Sequence, residues 1–311
     1  MLSPVSTKEE AKSLLTLPDA ELFASANALR EHVFGNTIDC CAIINAKSGN
    51  CSMDCAFCSQ AKSSKTAIQK HPLLPIATLK ERILELSKLP VAHIGIVTSG
   101  GILSQADVDQ LCTLFTILPK ELVPRVCASL GRLPSDALGK LRDAGLTRFH
   151  HNLECSQAFY PRVCTTQDWK DRLNTVVTAK TLGLTNCTGG LFGMGESWDD
   201  RIDLAFTLKE HQIMHVPMNF LHPHPQTPLG QRSPLSAQEA LRCIALFRHI
   251  LPQATLRVCG GRPITFGARH DAIFSCGANA LMIGDYLTTQ GEQIAADKDM
   301  LARCHLAPSM P

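Results

Sequence analysis

The chain has 311 residues, 45% of them hydrophobic and 19% charged, which is enough apolar material for a large core and too much for a disordered chain. A formal net charge of +2 offers no electrostatic basis for binding nucleic acid or an anionic membrane surface. No apolar run is long enough to span a bilayer, and the opening MLSPVSTKEEAKSLL lacks the basic-then-apolar layout of a signal peptide, so a cytoplasmic protein is expected.

Residues 1–35 read as short polar helices, KEEAKSLL and DAELFASANALREHVF, forming an N-terminal extension. From residue 36 to about 290 short apolar runs alternate with longer amphipathic stretches. The strand candidates are, in order, CAIINA, AHIGIVTS, VPRVCASL, TRFHHNLE, TNCTGGLF, VPMNFL, TLRVCGG and ALMIGD. Between them TLKERILELSKL, SDALGKLRDAG, WKDRLNTVVTAKTLG, DDRIDLAFTLKEH and SAQEALRCIALFRHI place apolar residues at helical spacing. Gly145 and Gly183 stand where helices should stop, each before a new strand. Eight strand-like runs separated by helices point to an α/β fold, most simply a parallel (β/α)8 TIM-type barrel, with a doubly wound open sheet as the alternative. The segment 291–311 is polar and is expected on the surface.

Fourteen cysteines need a reason in a reducing compartment, where a disulfide framework is not expected. Cys112 and Cys243, inside helix-like segments, read as small buried hydrophobes, and Cys304 carries no signal. NAKSGNCSMDCAFCSQ is different, because Cys51, Cys55 and Cys58 lie at a four-then-three spacing amid Lys47, Ser48, Asn50, Ser52 and Asp54. These polar neighbours argue against a buried helix face. Structural zinc asks for four ligands and no second Cys-x-x-Cys pair is visible, while catalytic zinc usually recruits histidine or carboxylate. Three thiolates suit a 4Fe–4S cluster that leaves one iron open to an exogenous chelator. On the barrel reading the motif follows the first strand, at the end where active sites are built.

Cys-x3-Cys-x2-Cys resembles the signature of the radical S-adenosylmethionine (SAM) superfamily. The resemblance implies that SAM chelates the open iron and is cleaved to methionine and a 5′-deoxyadenosyl radical. Phe57 matches the motif's aromatic position, whose backbone lies near the adenine. Further segments resemble the biotin synthase family over roughly residues 36–290. They are CASLG, HHNLE, CTGGLFGMGE, PMNFL with TPL, LRVCGGR and GANALMIGDYLTT. The resemblance implies conversion of dethiobiotin to biotin by a sulfurtransferase reaction. Its unactivated carbons have no acidic proton, so hydrogen abstraction has to replace acid–base chemistry. Related barrels, the hydrogenase-cofactor maturase and methylornithine synthase type, remain the alternative.

The family's sulfur donor is an auxiliary iron–sulfur cluster, normally 2Fe–2S, held by three cysteines and an arginine. Cys127, Cys187 and Arg257 match those positions, but the remaining cysteine position falls at Gly95, which has no ligating atom. Cys41 is expected to face the same region, so the ligand set Cys41, Cys127 and Cys187 is anticipated, with a four-iron cluster as the variant. Strand alternation turns Cys40 the other way. Cys259, two residues beyond Arg257, is a second candidate, and Cys155 and Cys164 are weaker ones.

The resemblance also assigns SAM contacts: Asn152 and Glu154 to the ribose, Arg172 to the carboxylate, and Asn219 to SAM or dethiobiotin. Gly189 and Gly190 suit either close approach to a ligand or a simple turn. His150 and His151 lie near the expected pocket. His222 and His224, interleaved with prolines, read as a rigid loop. GMGES lacks the glycine spacing and lysine of a phosphate loop. The implied partners are dethiobiotin, SAM, an electron donor such as flavodoxin or ferredoxin, and a second copy of the chain in a homodimer.

Overall fold

The computed structural model describes residues 4–61, 64–289 and 291–309; the first three residues of the expected extension and the last two of the expected tail lie outside them. Ten strands form one sheet: β1 (Thr37–Lys47), β2 (His93–Thr98), β3 (Val126–Ser129), β4 (Arg148–His150), β5 (Thr185–Cys187), β6 (Gly190–Phe192), β7 (His215–Phe220), β8 (Thr255–Val258), β9 (Ala280–Met282) and β10 (Ala307–Pro308). Neighbouring strands run parallel in chain order, and β9 returns to β1 through Asp39–Ala280 and Cys41–Met282. The sheet is therefore a closed barrel, not an open doubly wound sheet. TNCTGGLF supplies two short strands instead of one, β5 and β6, which share the fifth barrel position and both pair with β7.

Alternation along each strand sorts side chains between two environments. On β1, Ile38, Cys40, Ala42, Ile44 and Ala46 are buried in the apolar layer beneath the helices. On β2, Ile94 and Ile96 do the same, while His93, Gly95 and Val97 line the interior. The covering helices begin at side-chain caps on Ser104, Asp168, Ser197 and Ser236, each of which satisfies an otherwise unpaired backbone N–H. Gly145 and Gly183 follow helices ending at Asp143 and Thr181 and adopt φ of 121° and 80°.

Both chain ends are more deeply built in than their polarity implies. The N-terminal helices Lys8–Leu14 and Asp19–Phe34 pack on the Ala237–Ile250 helix, and Arg242 of that helix donates to the carbonyls of Leu15 and Leu17 at 2.7 and 3.2 Å. Residues 291–309 lie largely at the surface, as expected, yet they are folded and fastened. Residues Ile294–Arg303 form a helix that buries Met300 and Leu301, and β10 adds to the start of β1 at Thr37 and Ile38. Its Asp297 pairs at 2.7 Å with Arg262, and both side chains are buried. A guanidinium sealed beneath the barrel wall needs a counter-charge, and the tail supplies it. No helix among the described residues is long and apolar enough to cross a membrane.

Candidate active site

A cavity of about 440 Å3 opens at the C-terminal ends of the strands and extends into the barrel. Cys51, Cys55 and Cys58 line its rim, and Cys41, Cys127, Cys187 and Cys259 line its interior. All fourteen cysteines are free.

The rim thiols are carried by a loop with fixed shape. Gly49 and Asn50 take φ of 76° and 53° as the chain leaves β1. Gln60 accepts from the Gly49 N–H at 3.0 Å through its side chain and from the Cys51 N–H at 3.2 Å through its carbonyl. Asp54 is gripped by Thr165 and Thr166, whose backbone N–H groups donate at 3.0 and 3.2 Å. Burial pushes its carboxyl up, but these hydrogen bonds prevail and hold it well below the usual carboxylate range. Burial also raises the Cys58 thiol to about 11. The three thiols are half-buried, unpaired in disulfides and line the same cavity, the partly exposed setting that an iron–sulfur cluster takes, although among the described residues no three His, Cys, Asp or Glu side chains stand together tightly enough to hold a single metal ion.

Beside this rim, Arg172 binds three partners from the helix Trp169–Thr181. Its Nε donates to the Asn152 carbonyl at 2.7 Å, Nη1 to Gln167 Oε1 at 3.1 Å and Nη2 to Glu154 Oε1 at 3.0 Å. Asn152 Oδ1 accepts from the Gly189 N–H at 3.1 Å. Glu154 has φ of 70°, a conformation that costs about 1–2 kcal/mol for a residue with a side chain and that persists where neighbours enforce it. Burial raises its carboxyl, with Arg172 opposing that shift. Phe57, Asn152, Glu154, Arg172 and Asn219 all line the cavity.

Gly189 and Gly190 stand where backbone packs against backbone. Cβ atoms there would lie 1.9 Å from the Pro217 carbonyl oxygen and 2.6 Å from that of Glu154, respectively. Their missing side chains allow strands to meet; neither glycine lines the cavity. The GMGES loop is likewise closed to phosphate, because Glu196 already accepts from the N–H groups of Gly193, Met194 and Gly195 at 2.9, 2.8 and 3.1 Å. His224 Nδ1 accepts from the Gln226 N–H at 3.3 Å within its own loop, and His222 lines the cavity. His150 hydrogen-bonds Ser129 Oγ at 2.9 Å, and burial lowers its ionisation to about 4; His151 stacks on Phe149 at 6.3 Å.

Inside the barrel, Cys41, Cys127 and Cys187 come from β1, β3 and β5 and lie close enough to influence one another's ionisation. Burial lifts Cys41 to about 12 and raises Cys127 and Cys187, so these thiols stay protonated at neutral pH. Cys40 sits in the outer core, away from the cavity. Cys155 and Cys164 do not line the cavity either; Cys164 contacts Asp54 Oδ1 at 3.3 Å. Arg257 approaches Cys187 Sγ at 4.0 Å through Nη1, while its Nη2 pairs with Asp39 at 2.8 Å. Asp39 therefore holds Arg257 as a cation.

Several residues of this interior carry no signal in a single sequence. Asp39, His93, Arg148 and His215 stand on inward strand positions near the cysteines, and burial lowers His93 and His215 to about 4 and about 3. His93 is two residues before Gly95, hence on the same face, which is the one clue that could have exposed it. Residues Tyr286, Leu287, Thr288 and Thr289 line the cavity at its mouth. Asn45 Nδ2 donates to the Leu287 carbonyl at 3.0 Å, and Thr288 meets Ser59 at 2.9 Å.

Residues 46–208 match the Radical SAM superfamily, and residues 217–307 match the Biotin and Thiamin Synthesis associated domain. The chain is 57% identical over 292 residues to a biotin synthase of Desulfovibrio desulfuricans, covering 94% of this chain and 92% of the relative. It is 43% identical to a biotin synthase of Nitratidesulfovibrio vulgaris, covering 95% of this chain and 85% of the relative. Among solved structures, methylornithine synthase superimposes with a TM-score of 0.84 at 19% identity, covering 97% of this chain and 94% of that one. The FeFe-hydrogenase maturase from Carboxydothermus hydrogenoformans gives 0.81 at 16% identity, covering 98% and 76%. At such identities these two likenesses establish the barrel alone.

Proposed function

The chain belongs to the biotin synthase family of the radical SAM superfamily, and on that premise we propose that it converts dethiobiotin to biotin with its two cysteine groups serving different steps. The observation that carries this reading is the single cavity that joins the rim thiols to the interior thiols. When bound, a 4Fe–4S cluster at Cys51, Cys55 and Cys58 supplies the electron that cleaves SAM, and an auxiliary iron–sulfur cluster at Cys41, Cys127 and Cys187 supplies the sulfur. Arg172 and Glu154 orient SAM through its carboxylate and ribose, with Asn152 held in place by Gly189. Phe57 and Asn219 shape the space between the two cysteine groups. Thr288 and Thr289 stand at the mouth and restrict water, which matters because the reaction depends on holding reactants within bonding distance. The barrel of residues 36–290 contains every one of these groups. A reduced flavodoxin or ferredoxin is the electron donor in this reading, and two copies form a homodimer.

Arg257 sits against the auxiliary site as a charged hydrogen-bond donor, since Asp39 secures its proton. The interior set without a cysteine at position 95 favours a four-iron cluster over the usual 2Fe–2S one.

The anaerobically reconstituted chain, given SAM, reductant and dethiobiotin, should form biotin by mass spectrometry together with 5′-deoxyadenosine. Formation of 5′-deoxyadenosine without biotin would instead support a maturase-type activity. A second measurement concerns Gly95. A Cβ there would lie 3.1 Å from Ile43 Cγ2, so that methyl group must give slightly. Gly95→Cys should therefore fold, with a stability loss of about 1 kcal/mol in thermal unfolding. It should also hold auxiliary iron against a chelator more tightly than the parent chain.

A further inference from the structure

Two guanidiniums act on the interior thiols, but only one of them has a counter-ion. Arg257 is matched by Asp39 at 2.8 Å. Arg148 is half-buried and lines the same cavity, yet no hydrogen bond or ion pair to its side chain exists among the described residues, and its Nη1 is buried without a partner. Arg125, a third arginine at this end of the barrel, is occupied by the carbonyls of Ser87 and Val91 at 3.3 and 2.6 Å. Asp39 acts on Cys41 and Cys187, and it is already engaged by Arg257.

The place of Arg148 in the sheet is specific. On β4 it pairs in register with Cys127 of β3 and with Thr185 of β5, two residues before Cys187. It thus stands on the strand between two cysteine-bearing strands. A guanidinium that faces a cavity with one nitrogen out of solvent and no partner leaves donors free for an anion in that cavity. Three thiolates around a four-iron core whose own charge is +2 leave a net charge of −1, which one guanidinium offsets.

We propose that Arg148 is a positioning residue of the auxiliary centre, donating hydrogen bonds to the sulfur atoms held between Cys127 and Cys187 and offsetting their negative charge. The inference rests on reading the interior thiols as an iron–sulfur site. A planar guanidinium has several donors in fixed directions and can serve two sulfur atoms at once. Hydrogen bonds and positive charge near cluster sulfurs raise the reduction potential and hold the cluster in place.

The test compares Arg148→Met and Arg148→Lys with the parent, each as the full chain reconstituted anaerobically. Iron and acid-labile sulfide, Mössbauer spectra, cluster reduction potential and iron loss to a chelator are measured. For Arg148→Met, thermal unfolding without iron should match the parent, because the half-buried guanidinium has no partner to lose. With iron loaded, the auxiliary centre should lose its metal about tenfold faster, in line with typical outer-shell effects. Its reduction potential should move to more negative values. Arg148→Lys should recover most of the retention. Parent-like spectra, potential and iron retention in Arg148→Met would overturn the inference while leaving the cluster reading intact. A parent chain that holds only the iron of one 4Fe–4S cluster would overturn both.

Discussion

Cys41→Ala is expected to abolish biotin formation, by about a thousandfold or more, equivalent to about 4 kcal/mol of transition-state stabilisation. Cleavage of SAM should continue, because the rim thiols are untouched. The expectation follows from geometry: Cys41 faces the cavity, and both Cys187 and Arg257 lie near enough to affect its ionisation. A merely structural buried thiol would behave differently. Its truncation would cost about 1 kcal/mol in stability and leave the iron content alone. Iron analysis therefore separates the two roles, and unchanged auxiliary iron with unchanged activity would refute the ligand assignment. The double variant Cys41→Ala with Gly95→Cys sharpens the test. Position 95 is on the adjacent strand, paired with Ile43, two residues along β1 from Cys41. Moving the thiol there should restore auxiliary iron, with an altered Mössbauer spectrum.

Arg172→Met should be nearly as damaging, by another route. It removes the donor set that fixes Asn152, Gln167 and Glu154, and it leaves Glu154 without its counter-ion. Breaking a largely buried pair of this kind costs about 3–5 kcal/mol. Affinity for SAM should fall about a hundredfold, near 2.7 kcal/mol, measurable by equilibrium binding. A pH signature should accompany the loss. Burial already holds the Glu154 carboxyl above its ordinary value, and Arg172 is the main opposing influence. Without the arginine the folded state grips that proton more tightly than the unfolded chain does. The associated stability is present below the ordinary glutamate value and is lost as pH rises through the raised one. The variant should accordingly melt at a higher temperature at pH 5 than at pH 7.5. A variant equally stable at both would show that Glu154 does not need Arg172.

The barrel was legible because its signals are local. Alternation in CAIINA separates Cys40 from Cys41, and the structure puts the first in the outer core and the second on the cavity. Helical spacing and the stops at Gly145 and Gly183 are equally local. What could not be read depends on partners far away in the chain. Gly189 looked like a ligand approach because the Pro217 carbonyl that excludes a side chain lies on another strand. Asp297 in a polar tail gave no hint that Arg262, buried 35 residues earlier, was its counterpart. Arg148 in TRFHHNLE carries no local mark, since its lack of a counter-ion is a property of the assembled barrel.

Residues Tyr286–Thr289, at the mouth of the cavity, have a consequence for access. They follow β9, the strand that closes the barrel on β1, and reach back to Asn45 and Ser59 by one hydrogen bond each. Two such bonds are a light fastening beside the ladder that closes the wall, so the mouth can part for cargo without opening the barrel.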